Sequence, residues 1–287
     1  MLTVVANKDF KVEIGDGRPT VIIAERINPT GRKVLSAQLG QGSLEMVEKE
    51  ALKQKEAGGH IIDVNVGAGE VDEMVMLPMA VKKVSELTGY PVSIDSSNAD
   101  AIVAALKVYE GRALINSVTG EESLMEKLLP VAKEYGAAIV GLAMDESGIP
   151  PTAEGRLRVA EKILMKAKSY GLSEEDLLID PLTMTVATDP KAGEITLEAV
   201  ELVATRLGIN VVLGASNVSF GLPERPVVNM AFLAMAIGRG MTAVISDPTK
   251  SDLKKSILAA DVLMGRDQWA QRYICNYRAE QKAQQGS

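Results

Sequence analysis

The sequence predicts a single (β/α)8 barrel, and three observations carry that prediction. The chain has 287 residues, a length at which such barrels commonly form one domain. Eight short runs of apolar and β-branched residues recur along it, and an amphipathic stretch follows each run. Most of the runs are continuous rather than alternating in polarity, as strands buried on both faces require.

Each unit of the predicted barrel is a strand followed by a helix. The strands are predicted at Thr20–Glu25, His60–Val66, Pro91–Asp95, Ala113–Asn116, Ala137–Ala143, Leu177–Asp180, Asn210–Ala215 and Met241–Ser246. The helices are predicted within Leu44–Ala57, Met74–Leu87, Ala99–Tyr109, Leu124–Tyr135, Leu157–Tyr170, Leu197–Leu207, Asn229–Ile237 and Leu253–Leu263. Short βα links indicate a parallel sheet, and eight units favour a closed barrel. The alternative is an open doubly wound sheet, although no G-x-G-x-x-G follows the first strand.

The two ends of the chain are predicted to extend this barrel. Within residues 1–19, the segments Leu2–Val5 and Phe10–Ile14 are expected to form a hairpin that plugs the N-terminal end. We therefore expect residues 1–19 to be a capping extension and residues 20–287 to be one barrel domain. Beyond about residue 266 we expect an extra helix, with a polar tail at Gln281–Ser287 that frays.

Composition narrows the class of protein. The net charge of −7 and the lack of a Lys/Arg block argue against a nucleic-acid or anionic-membrane partner. A single cysteine, Cys275, excludes an internal disulfide and a Cys-rich metal site. We see neither a signal peptide nor an apolar run of about 20 residues, so we expect a cytoplasmic protein.

Nearly every predicted strand ends in a carboxylate or an amide. In chain order the strand ends read Glu25-Arg26-Ile27-Asn28, Asp63-Val64-Asn65, Asp95-Ser96, Asn116-Ser117, Met144-Asp145, Asp180-Pro181, Ser216-Asn217 and Ser246-Asp247. The C-terminal ends of barrel strands surround the active site, so these side chains form the candidate site. Asp and Asn also favour turns and helix N-caps, which we expect to account for Asp145 and Asp247. Asp63 and Asp180 each follow an apolar run and fit that explanation less well.

The residue types absent from the strand ends restrict the chemistry. No lysine ends a strand, which argues against a Schiff-base aldolase. The one histidine, His60, opens the second strand and is expected at the opposite end of the barrel, so no Ser–His or Cys–His pair is available. Clustered carboxylates are able to hold Mg²⁺, but amides are about as frequent here, and we predict no metal site.

A mixed set of carboxylates and amides suits a flat neutral heterocycle that carries N–H groups. A pterin ring offers an amine and ring N–H donors to carboxylates, and a carbonyl and ring nitrogens to amide donors. In a partly dry pocket each charge-assisted hydrogen bond contributes about 1.5–3 kcal/mol. This chemistry permits a pterin without requiring one.

At these strand ends the sequence resembles the methyltetrahydrofolate:corrinoid protein methyltransferases. They are pterin-binding proteins related to dihydropteroate synthase and to the folate domain of cobalamin-dependent methionine synthase. The segments that carry the resemblance span roughly residues 20–265 and are Glu25-Arg26-Ile27-Asn28, Asp63-Val64-Asn65-Val66-Gly67, Ile94-Asp95-Ser96, Ile115-Asn116-Ser117, Gly141-Leu142-Ala143-Met144, Gly148-Ile149-Pro150, Ile179-Asp180-Pro181-Leu182, Leu213-Gly214-Ala215-Ser216-Asn217-Val218-Ser219, Arg225-Pro226 and Phe232-Leu233-Ala234-Met235-Ala236. The chain departs from the family in residues 1–19 and in the loops Thr183–Lys191 and Phe220–Glu224.

The resemblance implies roles for individual residues. Asp95, Asn116 and Asp180 match residues that hydrogen-bond the pterin ring, and Asn217 matches the asparagine that reaches the folate N5 region. The remaining matches belong to the folate site without an assigned contact, except that Arg225 matches an arginine near the substrate; they are Gly214, Ser216, Arg225, Glu25, Asn28, Asp63 and Asn65.

The implied reaction moves the N5 methyl group between methyltetrahydrofolate and the cobalt of a corrinoid. Asn217 would act at N5, and a water held by Asp180 or Asp95 would supply the proton. The cobalamin motif Asp-x-His-x-x-Gly is absent, because Gly58 stands two positions before the one histidine. We therefore expect a separate corrinoid protein to dock transiently over the open rim, and the family resemblance suggests a homodimer.

Two other classes of function stay open from the sequence. The first is a condensing synthase, such as a dihydropteroate-synthase-like enzyme, or a Mg²⁺-dependent lyase. The synthase fits less well, since its late Ser-Arg-Lys segment reads Ser216-Asn217-Val218 here. Both enzymes would need a phosphate site near the last two strands; the loop Gly214–Gly221 is a candidate for it, but the last strand offers no Gly-rich partner. The second class is a non-catalytic pterin-binding component.

Overall fold

The computed structural model describes residues 1–69 and 71–285, and its centre is a closed barrel of eight parallel strands. The barrel strands are β3 (Val21–Ile27), β4 (Ile61–Val64), β5 (Val92–Asp95), β7 (Leu114–Thr119), β8 (Ala138–Leu142), β9 (Leu177–Asp180), β10 (Asn210–Gly214) and β11 (Met241–Ser246). They pair in chain order, and β11 closes the ring on β3. The predicted barrel is confirmed, and the open sheet is excluded.

Helices cover the outside of the barrel. They are α1 (Lys33–Gly40), α2 (Glu45–Glu56), α3 (Glu73–Thr88), α4 (Ala99–Val108), α5 (Glu122–Glu134), α6 (Ala153–Ser169), α7 (Ala192–Leu202), α8 (Arg225–Gly238), α9 (Ser251–Leu263) and α10 (Gln271–Gln285). The short helix α1 was not predicted; it buries Leu35 and Leu39, four residues apart on one face. None of the helices in the described part of the chain is both long and apolar enough to cross a membrane.

The predicted N-terminal hairpin is present. Its strands β1 (Leu2–Asn7) and β2 (Lys11–Gly15) are antiparallel, and the short strand β6 (Gly111–Arg112) joins β1. Val5, Val12 and Ile14 pack among the inward-facing residues of the barrel strands. The hairpin therefore closes the N-terminal end of the barrel with apolar side chains.

Alternate residues of each barrel strand face the lumen, and this period determines which strand-end residues enter the site. Apolar lumen residues form one buried cluster that includes Val21, Ile23, Ile61, Leu114, Ala138, Val140, Leu178, Val212 and Ala243. Two residues after such positions, the lumen carries Glu25, Asp63, Asn116 and Asp180. The polar site thus rests on an apolar floor.

The opposite end of the barrel holds His60, as expected. Its Nδ1 accepts a hydrogen bond from the Ile22 N–H at 2.8 Å, and its Nε2 lies 3.4 Å from a guanidinium nitrogen of Arg272 on α10. Burial, helped by the charges of Arg272 and Lys254, lowers the pKa of His60 to about 4. The ring is therefore neutral at pH 7 and supports the packing of α10 on the barrel.

The predicted C-terminal helix is α10, which continues to Gln285. Most of the tail that we expected to fray, Gln281–Ser287, is therefore helical. Residues 286 and 287 of that tail lie outside the described residues.

Candidate active site

Four polar side chains from three neighbouring strands contact one another at the mouth of the barrel. The Asn65 amide donates to the Asp95 carboxylate at 3.0 Å, and the Asn116 amide donates to Asp63 at 3.2 Å. Asn65 also accepts a hydrogen bond from the Gly67 N–H at 2.8 Å, which fixes its orientation. The structure therefore brings Asp63, Asn65, Asp95 and Asn116 into one hydrogen-bonded group.

The pKa values of the Asp63 and Asp95 carboxyls are both raised, and each carboxyl affects the pKa of the other. Asp63 is only 2% exposed, and burial, with the charge of Asp95, raises its pKa well above the ordinary range. Burial also raises the pKa of Asp95, although hydrogen bonds from Asn65 and Asp63 oppose that rise. Two carboxyl groups in contact within a low-dielectric site hold one proton between them. Burial is deeper at Asp63, so the pKa of Asp63 is raised further than that of Asp95, which lies nearer the mouth.

Glu25 is a third carboxyl on the same side of the lumen. The β3–β4 register shifts between Ala24 and Ile27, so Glu25 lies at an irregularity of the strand. Burial, together with the negative charges of Asp247 and Asp95, raises the pKa of Glu25 to about 7. Glu25 is thus able to gain or lose a proton near neutral pH.

Asp180 faces the lumen from β9, on the other side of the mouth. It is 6% exposed and accepts a hydrogen bond from the Leu182 N–H at 2.7 Å. Burial raises the pKa of Asp180 to about 6, while the N–H groups of Leu182 and Gly214 and the charge of Arg156 oppose the rise. Asp180 is therefore mostly ionised at pH 7 and can accept hydrogen bonds from a ligand.

A second group lies on the loop after β10, away from the carboxyl cluster. The side chain of Asn217 is exposed there, and a Cβ added at Gly214 would stand 3.9 Å from its amide nitrogen. Arg225 donates to the Ser216 carbonyl at 2.9 Å and to the Ser219 hydroxyl at 3.1 Å, and so ties this loop to the start of α8. These matched residues therefore lie on one side of the mouth, on the loop after β10 and at the start of α8.

Asn28 does not join either group. Its side chain accepts a hydrogen bond from the Thr30 N–H at 2.9 Å and forms a local turn after β3. Asp145 likewise closes a turn by accepting from the Ser147 N–H and hydroxyl at 2.9 and 2.6 Å, as expected. Asp247 forms the expected turn with Thr249 but also pairs with Arg26 at 2.8 Å. That ion pair places Asp247 beside the site, a role that the turn interpretation missed.

An ion-pair network outside the lumen holds the end of β3. Glu50 of α2 is 5% exposed and lies 2.5 Å from Arg26 and 2.7 Å from Arg32. Burial alone would raise the pKa of Glu50, but the hydrogen bonds from both guanidinium groups reverse the sign and lower it. The network fixes Arg26 on the outer face of the strand whose inner face carries Glu25.

Replacing Glu50 with Gln should lower the free energy of unfolding by about 1.5–3 kcal/mol, because hydrogen bonds between charged groups are lost in a buried place. Urea unfolding at pH 7 measures this. The matched control is Glu48→Gln on the same helix, where an exposed pair with Lys83 at 3.5 Å should be worth at most about 1 kcal/mol. If the two variants lose the same free energy of unfolding, the buried ion-pair network stabilises the fold no more than an exposed pair does.

The site offers carboxylate acceptors on two sides of one lumen, amide groups between them, and an apolar floor. Across residues 1–69 and 71–285, no group of three or more His, Cys, Asp or Glu side chains has an arrangement that could hold a metal ion. Asp95 and Asp180 can each accept N–H donors, and Asn116 presents an amide between them in strand order. These donor and acceptor types are complementary to those at the edge of a flat polar heterocycle.

Comparison with known proteins gives a consistent family. The family model described as pterin binding enzyme matches residues 24–247. A methylcorrinoid:tetrahydrofolate methyltransferase of Eubacterium limosum is 28% identical over 263 residues, which cover 90% of this chain and 96% of that protein. Methionine synthases of Mycobacterium leprae and Mycobacterium tuberculosis are 33% and 30% identical over 81% and 80% of this chain. The matched part is only 20% of each synthase.

Solved structures share the fold. Yersinia pestis DHPS with a pterine-sulfa conjugate superposes with a TM-score of 0.68 at 17% identity, covering 91% of this chain and 99% of that one. A dihydropteroate synthetase with a product gives a TM-score of 0.67, also at 17% identity, with the same coverage of both chains. At this identity the likeness establishes the barrel architecture alone. The family model spans nearly the whole barrel, from the middle of β3 to the turn after β11, and the chain therefore belongs to the pterin-binding enzyme family.

Proposed function

We propose that the protein is a methyltransferase that moves the N5 methyl group between methyltetrahydrofolate and the cobalt of a corrinoid carried by a separate protein. The observation that carries this proposal is the division of the mouth into two parts. Buried carboxylates and amides suited to a pterin ring lie in the lumen, and an exposed asparagine lies on the adjoining loop. The Eubacterium limosum relative, whose name describes methyl transfer between a methylcorrinoid and tetrahydrofolate, supports it.

In this proposal Asp95, Asn116 and Asp180 bind the pterin ring. Asp95 and Asp180 are the acceptors for N–H groups, and Asn116 supplies an amide. Glu25, Asp63 and Asn65 support the site, since Asp63 and Asn65 hydrogen-bond Asn116 and Asp95 respectively. Gly214, Ser216 and Arg225 shape the loop that carries Asn217, while Asn28 stays in its turn.

Asn217 acts at N5. In the transfer toward cobalt, Co(I) supplies the electron pair of the new Co–C bond, and the C–N bond breaks with its pair left on N5, which then takes a proton. A tertiary amine is a poor leaving group, so a donor that strengthens its hydrogen bond as N5 gains charge lowers the barrier. The Asn217 amide is able to donate or accept, and it is free of the carboxyl cluster. Water held by Asp180 or Asp95 would deliver the proton.

The corrinoid protein would dock over the C-terminal rim. Helix N-termini and loops there expose apolar side chains that would contact a partner; they are Val34, Met74, Val75, Met184 and Phe220. We propose a transient complex, because the pterin edge must be uncovered to exchange. We also propose a cytoplasmic location and, on the strength of the family resemblance, a homodimer.

The experiment mixes the protein with methyltetrahydrofolate and free Co(I) cobalamin and follows the corrinoid absorption spectrum. The reverse mixture, methylcobalamin with tetrahydrofolate, tests the other direction. We expect methyl transfer well above the protein-free rate. As a matched control, Asp145→Asn changes a rim carboxylate that only closes a turn, and its rate should equal that of the parent.

The two alternatives predict different results in the same assay. A non-catalytic pterin-binding protein would bind tetrahydrofolate without accelerating either direction. A dihydropteroate-synthase-like condensing enzyme would instead join a pterin pyrophosphate to an aromatic amine. If the protein binds the pterin but accelerates methyl transfer in neither direction, the proposed methyltransferase activity is contradicted.

A further inference from the structure

Arg156 is a buried cation whose hydrogen bonds all go to neutral acceptors among the described residues. It lies in the first turns of α6 and is 2% exposed. Its guanidinium donates to the Leu182 carbonyl at 2.7 Å, the Pro150 carbonyl at 3.2 Å and the Thr196 hydroxyl at 3.2 Å. An arginine stays charged when buried, so this position places a positive charge behind the barrel mouth.

The Leu182 carbonyl belongs to the peptide segment that orients Asp180. Leu182 has a positive φ of 66°, a conformation that leucine adopts rarely. In that conformation its N–H donates to the Asp180 carboxylate at 2.7 Å while its carbonyl accepts from Arg156. Arg156 thus compensates an unfavourable backbone conformation, and that conformation fixes the rotamer of Asp180.

Arg156 also acts on Asp180 through its charge. Besides the N–H groups of Leu182 and Gly214, Arg156 is the charged group that opposes the effect of burial on the pKa of Asp180. On the neighbouring strand β8, Leu142 pairs with Asp180 and carries no charge, and on β10 the register runs from Val211 beside Ile179 to the uncharged Val212. The other lumen carboxyls, Glu25, Asp63 and Asp95, stand on β3, β4 and β5 across the mouth.

We propose that Arg156 is a positioning residue for pterin recognition: by binding the Leu182 carbonyl it holds the peptide segment whose N–H orients the carboxylate of Asp180. This inference rests on the proposed pterin contact of Asp180 and does not depend on methyl transfer. The Pro150 and Thr196 contacts hold the guanidinium in place, so the Arg156 side chain links the loops after β8 and β9 to helix α7.

The test measures tetrahydrofolate binding by calorimetry from pH 5 to pH 8.5, with thermal unfolding of every variant. Arg156→Met should weaken binding at pH 7 by roughly tenfold or more and move the acid midpoint of binding to higher pH, because the charge that opposes protonation of Asp180 is lost. Arg156→Lys keeps the charge without the planar fork, so it should keep the midpoint but lose affinity at every pH. Arg158→Met, an exposed arginine on the same helix, is the matched control and should change neither.

A merely structural arginine would give another pattern. If Arg156→Met and Arg156→Lys lower the unfolding temperature but leave affinity and acid midpoint as in the parent, the proposal is overturned. Should Arg156→Met fail to fold, the pH profile of Arg156→Lys alone decides. Affinity equal to that of the parent at all pH values would then contradict the positioning role of Arg156. Asp180→Asn is measured in parallel. Unchanged tetrahydrofolate affinity in Asp180→Asn would contradict the proposed role of Asp180 itself. If Asp180→Asn loses affinity while both Arg156 variants bind as the parent does, only the inference about Arg156 is overturned.

Discussion

Replacing Asn217 with Ala should lower the rate of methyl transfer by about 10²–10³ while leaving pterin affinity nearly unchanged. The side chain is exposed on the loop after β10, outside the hydrogen-bonded carboxyl cluster, so its removal leaves the proposed pterin-binding groups in place. Its proposed contact with N5 strengthens only as the C–N bond breaks. Stabilisation of that kind lowers turnover more than affinity.

Single-turnover methyl transfer and equilibrium binding of tetrahydrofolate separate the two quantities. The matched control is Asn116→Ala, another asparagine at the mouth, which holds Asp63 at 3.2 Å. We expect the control to lose affinity for the pterin, because it removes a proposed ring contact and leaves a buried carboxyl without its donor. A loss of equal size in affinity and rate for Asn217→Ala would contradict its role at N5.

The barrel and the lumen residues were accessible from the sequence for one physical reason. A parallel strand has a period of two, and a buried strand reads as an apolar run, so the position where the run ends identifies the residue that enters the site. Asp63, Asn116 and Asp180 each follow a buried apolar lumen residue by two positions. That local rule required no knowledge of the rest of the fold.

The supporting residues depend on contacts between distant segments, and the sequence analysis missed them. Glu50 and Arg156 both lie on the buried faces of their helices, in line with Val47 and Ala51 on α2 and with Leu157 and Ala160 on α6. A charged residue on an apolar helical stripe was the available signal, because burying a charge is costly unless partners compensate it. What those partners are was not readable, since Arg156 contacts backbone carbonyls from other loops.

The pKa of Glu25 could not be predicted from the sequence either, because it depends on burial and on two carboxyls from different strands.

The raised pKa of Glu25 leads to the second of the two largest expected effects, a change in stability that depends on pH. Replacing Glu25 with Gln should raise the free energy of unfolding by about 3 kcal/mol at pH 8 but by only about 1 kcal/mol at pH 5. The folded-state pKa of about 7 lies above the ordinary value of 4.5, so folding favours the protonated form. As pH rises between these values, the unfolded chain loses the proton first and the folded state is progressively destabilised.

Urea unfolding of parent and variant at pH 5 and pH 8 measures the difference. Glu134→Gln, on the exposed surface of α5, is the control and should give the same small change at both pH values. A Glu25→Gln effect that does not depend on pH would contradict the burial argument. A carboxyl that weakens the fold at neutral pH is typical of functional sites, where activity and stability often conflict. We therefore expect Glu25→Gln to slow methyl transfer as it stabilises the barrel. A variant that is both more stable and fully active would instead show that the buried carboxyl of Glu25 serves no catalytic purpose.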